Sequence, residues 1–483
     1  MFMGIRSRSF AQGSSLYIVA VAAYAIGVWL HIPYGGGHVY SDLVTVFQVR
    51  ECGSGSPCAI LIPYVQTFVE YPVIDSMFMY AMGILASHLP GSLLPNYYAL
   101  TVAFLAIPTF LLIREITIII EIRQRDGSGG DAANQRRRLI WYFVLTPTFL
   151  FALLVNWYVI GVYFAVSGLR RYLEGKTLAS GILFGLSAAS NLVTAAPALG
   201  LLISSRTRRQ GFTLTAAAFG TYGLLNLPFA VLNPGLWLAA FQYIYNWYIE
   251  GSWLLIFFPI DTHTPYRHTI PPLVFAGIVA VMLWYRFRKH DAPSRLDPLP
   301  YAFVNMFAYV FSSYIYTPQL NLALLPFFVL LPVADSYAEF FAFDLFNALV
   351  VILGFSQVFQ PLGITYDFHP NDATSVVWGV AIIRSLWVGK FAIYDGFLRI
   401  FASNRVGTDQ GQGGNLGTSM VSRRGAVEAD RDRRGGHDRD RRGIGTVAAQ
   451  EVAIRDRDLV GAGRNLLRES PVRVERDCHD GSA

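Results

Sequence analysis

The sequence predicts an all-α polytopic membrane protein with about twelve transmembrane helices, juxtamembrane helices on its outer face and a disordered C-terminal tail. Three observations lead to this prediction. Hydrophobic residues make up 53% of the 483 positions and charged residues only 14%, a composition too apolar for a soluble protein of this size. Apolar stretches long enough to cross a bilayer recur throughout residues 1–400. Arginines concentrate in the short loops between those stretches, where such residues set membrane orientation.

The charge distribution indicates membrane lipids as partners, not nucleic acid. The net charge is +6, but the basic residues lie in loops between apolar segments instead of forming one patch. Residues 404–483 are rich in Gly, Arg and Asp, which predicts a disordered cytoplasmic tail. Because the charges of this tail alternate in sign, its attachment to lipid headgroups or to a partner is the weaker alternative.

The first apolar stretch, Leu16–Leu30, has no small-residue cleavage site after it and is expected to remain as the first membrane helix. Arg6 and Arg8 precede it, so the N terminus is predicted to be cytoplasmic in a multi-pass plasma-membrane protein. Residues 33–72 then form the first extracytoplasmic loop. Within it, Cys52 and Cys58 either form a disulfide or remain two free thiols.

Residues 73–89 are predicted to form an interfacial helix on the outer surface. If this stretch crossed the membrane along with Tyr97–Ile122, the basic loop 123–138 would lie outside, against the charge bias. With only Tyr97–Ile122 crossing, the loop returns to the cytoplasm.

The following stretches alternate between the two sides. We expect a hairpin of two short helices within Leu178–Ile203, turning near Asn191–Thr194, because this apolar run is too long for one crossing. Residues 233–272, rich in Trp and Tyr, form a second extracytoplasmic region. The predicted crossings around these features are Leu139–Val155, Trp157–Leu169, Phe212–Leu232, Leu273–Tyr285, Pro300–Tyr316, Leu320–Val333, Ala338–Phe359 and Val376–Leu386. Asp335, Glu339 and Asp344 are interpreted as a solvated cytoplasmic turn.

Two acids of the first outer loop are the catalytic candidates. Asp42 lies directly after the first helix and is the leading candidate for a general base, although an Asp at this position can also cap the following helix. Glu70 precedes another apolar run, where it would orient an acceptor or a metal, or remain a solvated acid.

Four outer-side residues could bind a phosphate: Arg50, His263, Arg267 and His268. The sequence does not choose among them, and each alone is more often a surface residue. The histidines do not fall at metal-ligand spacing, which argues against a zinc site built by the protein. No cofactor is certain; a divalent cation, Mg or Mn, held by one or two carboxylates such as Asp42 and by a substrate phosphate, is an open alternative.

The order of these features resembles the C superfamily of integral-membrane glycosyltransferases, and most of all its polyprenol-phosphate-mannose-dependent mannosyltransferase branch. Members place an aspartate after the first helix, then a glycine-bearing turn, a Pro-Tyr pair and an EYPP-like motif. This chain has Asp42, Gly55–Pro57, Pro63–Tyr64 and Glu70–Pro72. Further along, Asn156 opens a returning helix, Ser190–Pro197 replaces a turn that usually contains a lysine, and Thr317–Pro326 is similar to an SPQ-type turn. The chain departs from the pattern in having no second acid beside Asp42, Asn191 where a lysine is usual, and EYPV for EYPP.

The resemblance implies a GT-C-like membrane glycosyltransferase domain over residues 1–400. It implies inverting transfer of a hexose, mannose in view of the branch, from a polyprenyl-phosphate donor to an extracytoplasmic lipid, glycan or protein acceptor, with Asp42 as the base. The predicted substrate-binding residues are Tyr40, Arg50, Tyr64, Tyr71, Asn156, Asn191, His263, Arg267, His268 and Gln319. Two other classes remain open: a polytopic transporter or lipid flippase, and a non-catalytic relative.

Overall fold

The structure is a computed structural model, and it describes residues 3–33, 39–51, 60–127, 132–288, 297–354 and 375–397. Three features of the sequence lie outside the described residues. These are the Cys52–Cys58 pair, the turn Gly55–Pro57 and the predicted tail 404–483.

The first half of the described chain consists of helices joined by short turns. They are α1 (Met3–Leu30), α2 (Asp42–Val46), α3 (Val73–Ser87), α4 (Leu93–Arg125), α5 (Ala132–Leu139), α6 (Pro147–Ala152), α7 (Tyr158–Leu173) and α8 (Thr177–Ser190). One turn of π-helix follows α2, and another follows α5.

The second half continues in the same way. Its helices are α9 (Pro197–Ile203), α10 (Arg208–Leu232), α11 (Pro234–Asn246), α12 (Ile270–Arg288), α13 (Pro298–Ser312), α14 (Asn321–Leu330), α15 (Tyr337–Gly354) and α16 (Val376–Lys390). Short 3-10 turns follow α8, interrupt the region between α11 and α12, and precede α14.

The prediction of an all-helical fold is confirmed over the described residues, which contain helices and two isolated β-bridges. Five helical stretches there are long and apolar enough to cross a membrane, and five apolar helices are shorter. The predicted number of about twelve crossings is therefore not established. Which side each loop faces stays a prediction, as does the interfacial position of α3.

Burial differs sharply between helices at the centre and at the edge of the bundle. All ten residues of α14 are buried, and α13 is buried along most of its length. On α10, by contrast, the side chains of Phe212, Phe219 and Val231 are at least 70% exposed. An apolar helix that turns its large side chains outward is typical of a protein surrounded by lipid.

The segment Leu139–Val155, predicted as one crossing, is not a continuous helix. A π-helical turn follows α5, a bend falls at Leu145 and Thr146, and α6 starts at Pro147. Proline fixes the first position of a helix because it has no N–H to donate to a preceding turn. The Thr146 hydroxyl caps α6 by accepting the Phe149 N–H at 3.0 Å.

The hairpin predicted within Leu178–Ile203 is confirmed. Helix α8 ends at Ser190, Asn191 adopts an extended conformation, and α9 starts at Pro197. Helix α9 packs directly on the backbone of α13, where a Cβ on Gly200 would overlap the Tyr301 carbonyl group. Only glycine allows this approach, which brings the broken hairpin against the buried centre.

Asp344 contradicts the prediction of a solvated turn. Its side chain lies on α15 with no exposed surface, and one carboxyl oxygen accepts the Thr148 N–H at 3.0 Å. The carboxyl group therefore caps the start of α6 from a neighbouring helix. Asp335 is exposed as expected, and Glu339 forms an ion pair with Lys390.

Candidate active site

The backbone around Asp42 is fixed by a cap and by a contact with a distant turn. The Ser41 hydroxyl caps α2 by accepting the Leu43 N–H at 3.3 Å. The Asp42 N–H donates to the Val155 carbonyl oxygen at 2.6 Å. Because Ser41 is the cap, the alternative interpretation of Asp42 as a capping residue is wrong.

Two tyrosine hydroxyls hold the Asp42 carboxyl group. Tyr40 donates to Oδ1 at 2.7 Å and Tyr71 donates to Oδ2 at 2.5 Å. Burial raises the pKa of Asp42, and the negative charge of Glu70 adds to the rise, while the hydrogen bonds from Tyr71 and Tyr40 oppose it. The net rise makes this carboxylate a stronger base than an ordinary aspartate.

Asp42 lines a cavity of about 670 Å³. The cavity wall combines parts of the chain that are far apart in sequence: the first loop, the turns beside α7 and α8, helix α11 and the turn before α14. Of the residues predicted from the sequence, those found on this wall are Tyr40, Asp42, Glu70, Tyr71, Asn156, Asn191 and Gln319.

The cavity wall is aromatic and acidic. Its aromatic residues are Tyr40, Tyr71, Tyr158, Tyr243, Trp247, Tyr248, Tyr309 and Tyr314, and its acids are Asp42, Glu70 and Glu250. Among the described residues, no Lys, Arg or His lines it. Ring faces pack against apolar C–H groups, and carboxylates accept hydrogen bonds from hydroxyls, so this combination suits a ligand with many hydroxyl groups.

Glu70 differs from Asp42 in being paired with a cation. Arg50 donates from Nε to Glu70 Oε2 at 2.7 Å and from Nη2 to Oε1 at 3.3 Å. The guanidinium also lies 4.9 Å from the ring centre of Phe68 and 5.6 Å from that of Tyr243, which lines the cavity. Arg50 thus holds Glu70 from behind the wall.

The two predicted asparagines shape the turns of the cavity wall. The Asn156 side-chain oxygen accepts the Tyr158 N–H at 3.1 Å at the start of α7. The Asn191 side-chain oxygen accepts the Val193 N–H at 3.0 Å after α8. The amide of Asn156 lies near Asp42 and that of Asn191 lies near the Tyr158 hydroxyl, so each also contributes to the polar wall.

Tyr64 lies behind the wall and positions the segment that carries Glu70 and Tyr71. Its backbone has φ of 59°, an uncommon conformation for a residue other than glycine. Its buried hydroxyl donates to the Tyr71 carbonyl oxygen and contacts the Ser76 hydroxyl at 2.9 Å. This contact fixes the backbone from which the Tyr71 side chain reaches Asp42.

The predicted cations of the second outer region do not line the cavity. Arg267 donates to the carbonyl oxygens of His263 and Thr264. The ring of His268 stacks on Tyr245 at a centroid distance of 3.9 Å, and that of His263 lies 6.0 Å from Tyr248. Their role as phosphate ligands stays a prediction, as does that of Arg50.

Glu250 and Arg384 were not identified as site residues from the sequence. Glu250 lines the cavity and is 7% exposed, and burial raises its pKa although Trp247 donates a hydrogen bond to it. Arg384 has no exposed surface and lies on α16, close enough for its charge to attract that of Glu250. A lone arginine in the apolar run VVWGVAIIRSLWVGK was the available signal, because a charge within such a run usually has a specific partner.

The site was also tested for a resident metal. The described residues contain no group of three or more His, Cys, Asp or Glu side chains that could hold a metal ion. Both Asp42 oxygens accept tyrosine hydrogen bonds, and both Glu70 oxygens accept from Arg50. The residues present therefore do not fit a metal held by the protein alone.

Comparisons with known proteins were made for the whole chain. No protein-family model and no curated protein matches it. One solved structure to which it is similar is the archaeal oligosaccharyltransferase AglB from Archaeoglobus fulgidus in complex with an inhibitory peptide and a dolichol-phosphate. The TM-score is 0.36 with 12% identity, and the match covers 80% of this chain and 55% of that chain. The match thus spans little more than half of AglB, and a TM-score of this size is too low to establish a shared fold or activity.

Proposed function

We propose that the protein is a membrane glycosyltransferase that moves a hexose, mannose by its sequence resemblance, from a polyprenyl-phosphate donor to a hydroxyl-bearing acceptor outside the cytoplasm. The observation that carries the proposal is the Asp42 carboxyl group, half-buried on the wall of an aromatic cavity and held by two neutral donors. A base for this reaction needs both a fixed position and a raised pKa, and Asp42 has both.

The reaction is a single displacement at the anomeric carbon of the hexose. The acceptor hydroxyl oxygen forms a bond to that carbon while the bond from the carbon to the phosphate oxygen breaks. The hydroxyl proton passes to the Asp42 carboxylate, and the polyprenyl phosphate leaves with the bonding electron pair. Tyr40 and Tyr71 keep the carboxylate in place, which raises the effective concentration of the base beside the acceptor.

The charges of the wall bear on how the donor phosphate is bound. A lipid phosphate needs neutralisation, and Arg50 is a described cation that lies beside the wall residues Glu70 and Tyr243. Arg50 is therefore the phosphate-side candidate, with a divalent cation brought by the donor as the alternative.

The test is the Asp42→Asn variant, assayed with radiolabelled polyprenyl-phosphate mannose in membranes that contain the full-length chain. Asn keeps the size of the side chain and its oxygen can still accept one of the two tyrosine hydrogen bonds, but its NH2 group only donates and the side chain does not take up the proton. We expect transfer to fall by about 10²–10⁴-fold, the usual contribution of a positioned base.

Glu121→Gln is the matched control, because Glu121 is 41% exposed and its ion pairs with Arg125 and Arg136 lie far along α4 from the cavity. It should transfer at the wild-type rate. Transfer by Asp42→Asn at close to that rate would refute the role of Asp42. A lack of transfer by the wild-type chain would refute the proposed activity and favour a flippase or a non-catalytic protein.

A further inference from the structure

The backbone of Glu250 is held on both sides by the segment before the turn Thr317–Leu320. The Glu250 N–H donates to the Tyr314 carbonyl oxygen at 2.9 Å, and the Glu250 carbonyl oxygen accepts the Tyr316 N–H at 2.8 Å. The next residue, Gly251, has φ of 61°, and a Cβ there would meet the Tyr316 carbonyl and lie 2.8 Å from Arg384 Nη2. These contacts fix the direction in which the Glu250 side chain leaves the backbone.

The same segment is anchored to α16 by Arg384. Its guanidinium donates to the carbonyl oxygens of Gly251, at 3.2 Å, and of Tyr316, and to the Asn347 side-chain oxygen at 2.9 Å. A buried guanidinium with these partners places positive charge behind Glu250 and not on the cavity wall. Arg384 therefore stabilises the loop and the negative charge of Glu250 together.

One oxygen of the Glu250 carboxyl group is held and the other is open. Oε2 accepts the Trp247 indole N–H at 2.7 Å. Among the described residues, none donates a hydrogen bond to Oε1. Since Glu250 lines the cavity, a ligand inside it can reach this acceptor. The rings of Trp247 and Tyr248 lie on the same wall, with centroids 5.0 Å apart.

We propose that Glu250, Trp247 and Tyr248 form a subsite for one pyranose ring, in which Glu250 Oε1 accepts a hydrogen bond from a ring hydroxyl. A pyranose presents C–H groups on one face, which pack on aromatic rings, and hydroxyls around its edge, which need acceptors. An anionic ligand group fits poorly next to Glu250, because the negative charge of this carboxylate repels it. The inference rests on the proposed function for placing a sugar in the cavity.

The experiment combines variants of the residue with variants of the sugar. The full-length chain is purified in detergent, and dissociation constants of methyl hexopyranosides are measured by saturation-transfer NMR. The monodeoxy analogues of the best binder are then compared on the wild type and on Glu250→Gln. Because Trp247 donates to Oε2, the glutamine oxygen takes that place and its NH2 group faces the ligand, so the charged acceptor is lost.

We expect one monodeoxy analogue to bind the wild type about tenfold or more weakly than the parent sugar, the usual effect of losing a hydrogen bond to a charged group. On Glu250→Gln the same analogue should bind within about threefold of the parent sugar, since only a neutral contact is lost. Glu121→Gln should keep the wild-type pattern. The proposal would be overturned if the wild type and Glu250→Gln showed the same ratio of dissociation constants between the analogue and the parent sugar. It would also be overturned if no methyl hexopyranoside bound.

If Glu250→Gln does not fold, Trp247→Phe serves in its place, because phenylalanine keeps a ring but frees Oε2. Trp247→Phe should change the ratio of dissociation constants between that analogue and the parent sugar, and should leave the ratios of the other analogues unchanged. Adding a short-chain prenyl-phosphate mannose separates the two sources of the sugar: displacement assigns the subsite to the donor, and simultaneous binding assigns it to the acceptor.

This binding assay is independent of catalysis. Sugar binding that depends on Glu250 in a chain without transferase activity would support the subsite and refute the proposed reaction. Sugar transfer by a chain whose sugar binding does not depend on Glu250 would support the reaction and refute the subsite.

Discussion

Two partly buried carboxylates, Glu174 and Asp42, differ in the groups that surround them. Glu174, in the turn between α7 and α8, accepts hydrogen bonds from Arg170 at 2.6 Å, Lys176 at 2.9 Å and Arg171 at 3.1 Å. Although burial raises its pKa, the hydrogen bonds and charges of Lys176 and Arg170 lower the pKa of Glu174 to about 2. Asp42 has only neutral donors on its carboxyl oxygens, and its pKa is raised.

The difference separates a structural acid from a reactive one. A carboxylate surrounded by cations is stable in its charged form and is a poor base at neutral pH. A buried carboxylate held by hydroxyls keeps its position without losing its affinity for a proton. Glu250 belongs to the second class, since its hydrogen bond comes from an indole N–H and its pKa is also raised.

After Asp42→Asn, the largest effect on this contrast is expected from Tyr71→Phe. It removes one neutral donor from Asp42 but keeps the ring that packs edge-on against Trp157, with centroids 4.9 Å apart. Because the Tyr71 hydrogen bond lowers the pKa of Asp42, its loss raises that pKa further. The base works when deprotonated, so the rising part of the pH–rate profile should move to higher pH by about one unit.

The transfer rate of Tyr71→Phe on that rising part should therefore be about tenfold below wild type and should approach it at higher pH. Tyr266→Phe, at an exposed ring outside the cavity, should leave the profile in place. An equal loss at every pH would show that Tyr71 acts only in binding.

A smaller effect is expected from Arg50→Gln, which changes the cation paired with the wall residue Glu70. The substitution removes the ion pair with Glu70 and the positive charge behind Tyr243. If Arg50 attracts the donor phosphate, KM for the donor should rise about threefold with little change in kcat, because a partly exposed charge is screened.

The salt dependence of this effect provides its check. The wild-type KM should rise with salt concentration, whereas that of Arg50→Gln should respond less. A fall in kcat with an unchanged KM would instead indicate that Arg50 only orients Glu70.

Local patterns in the sequence were enough to predict much of this site. One cavity is lined by the acid after the first helix, by the EYP motif and by the turn residues Asn156 and Gln319. Turn and cap signals depend on neighbouring residues, which is why the break at Asn191 was also predicted correctly.

Features that depend on packing between distant helices were not predictable in the same way. Asp344 seemed to belong to a solvated turn, and its burial follows from its contact with Thr148, almost two hundred residues earlier. The backbone position of Glu250 depends on Tyr314, and its electrostatic environment depends on Arg384. The residues next to Glu250 in the sequence do not indicate these contacts. Such contacts depend on three-dimensional packing, so they cannot be predicted from local patterns in a single sequence.

The smallest effect is expected from Glu174→Gln, which tests the structural half of the contrast. Glu174 has a folded-state pKa of about 2 against an ordinary value of 4.5. A lowered pKa contributes stability that is complete above the ordinary value and is lost as pH falls towards the folded one.

Since Lys176 is 57% exposed and Arg171 is 34% exposed, screening reduces the contribution to about 1 kcal/mol. Glu174→Gln should therefore lower Tm by about 2 °C at neutral pH, and by less near pH 3, without changing transfer. Thermal unfolding of both proteins in detergent at the two pH values measures this, with Glu121→Gln as the control. An identical loss at both pH values would mean that Glu174 stabilises the turn by packing and not by its charge.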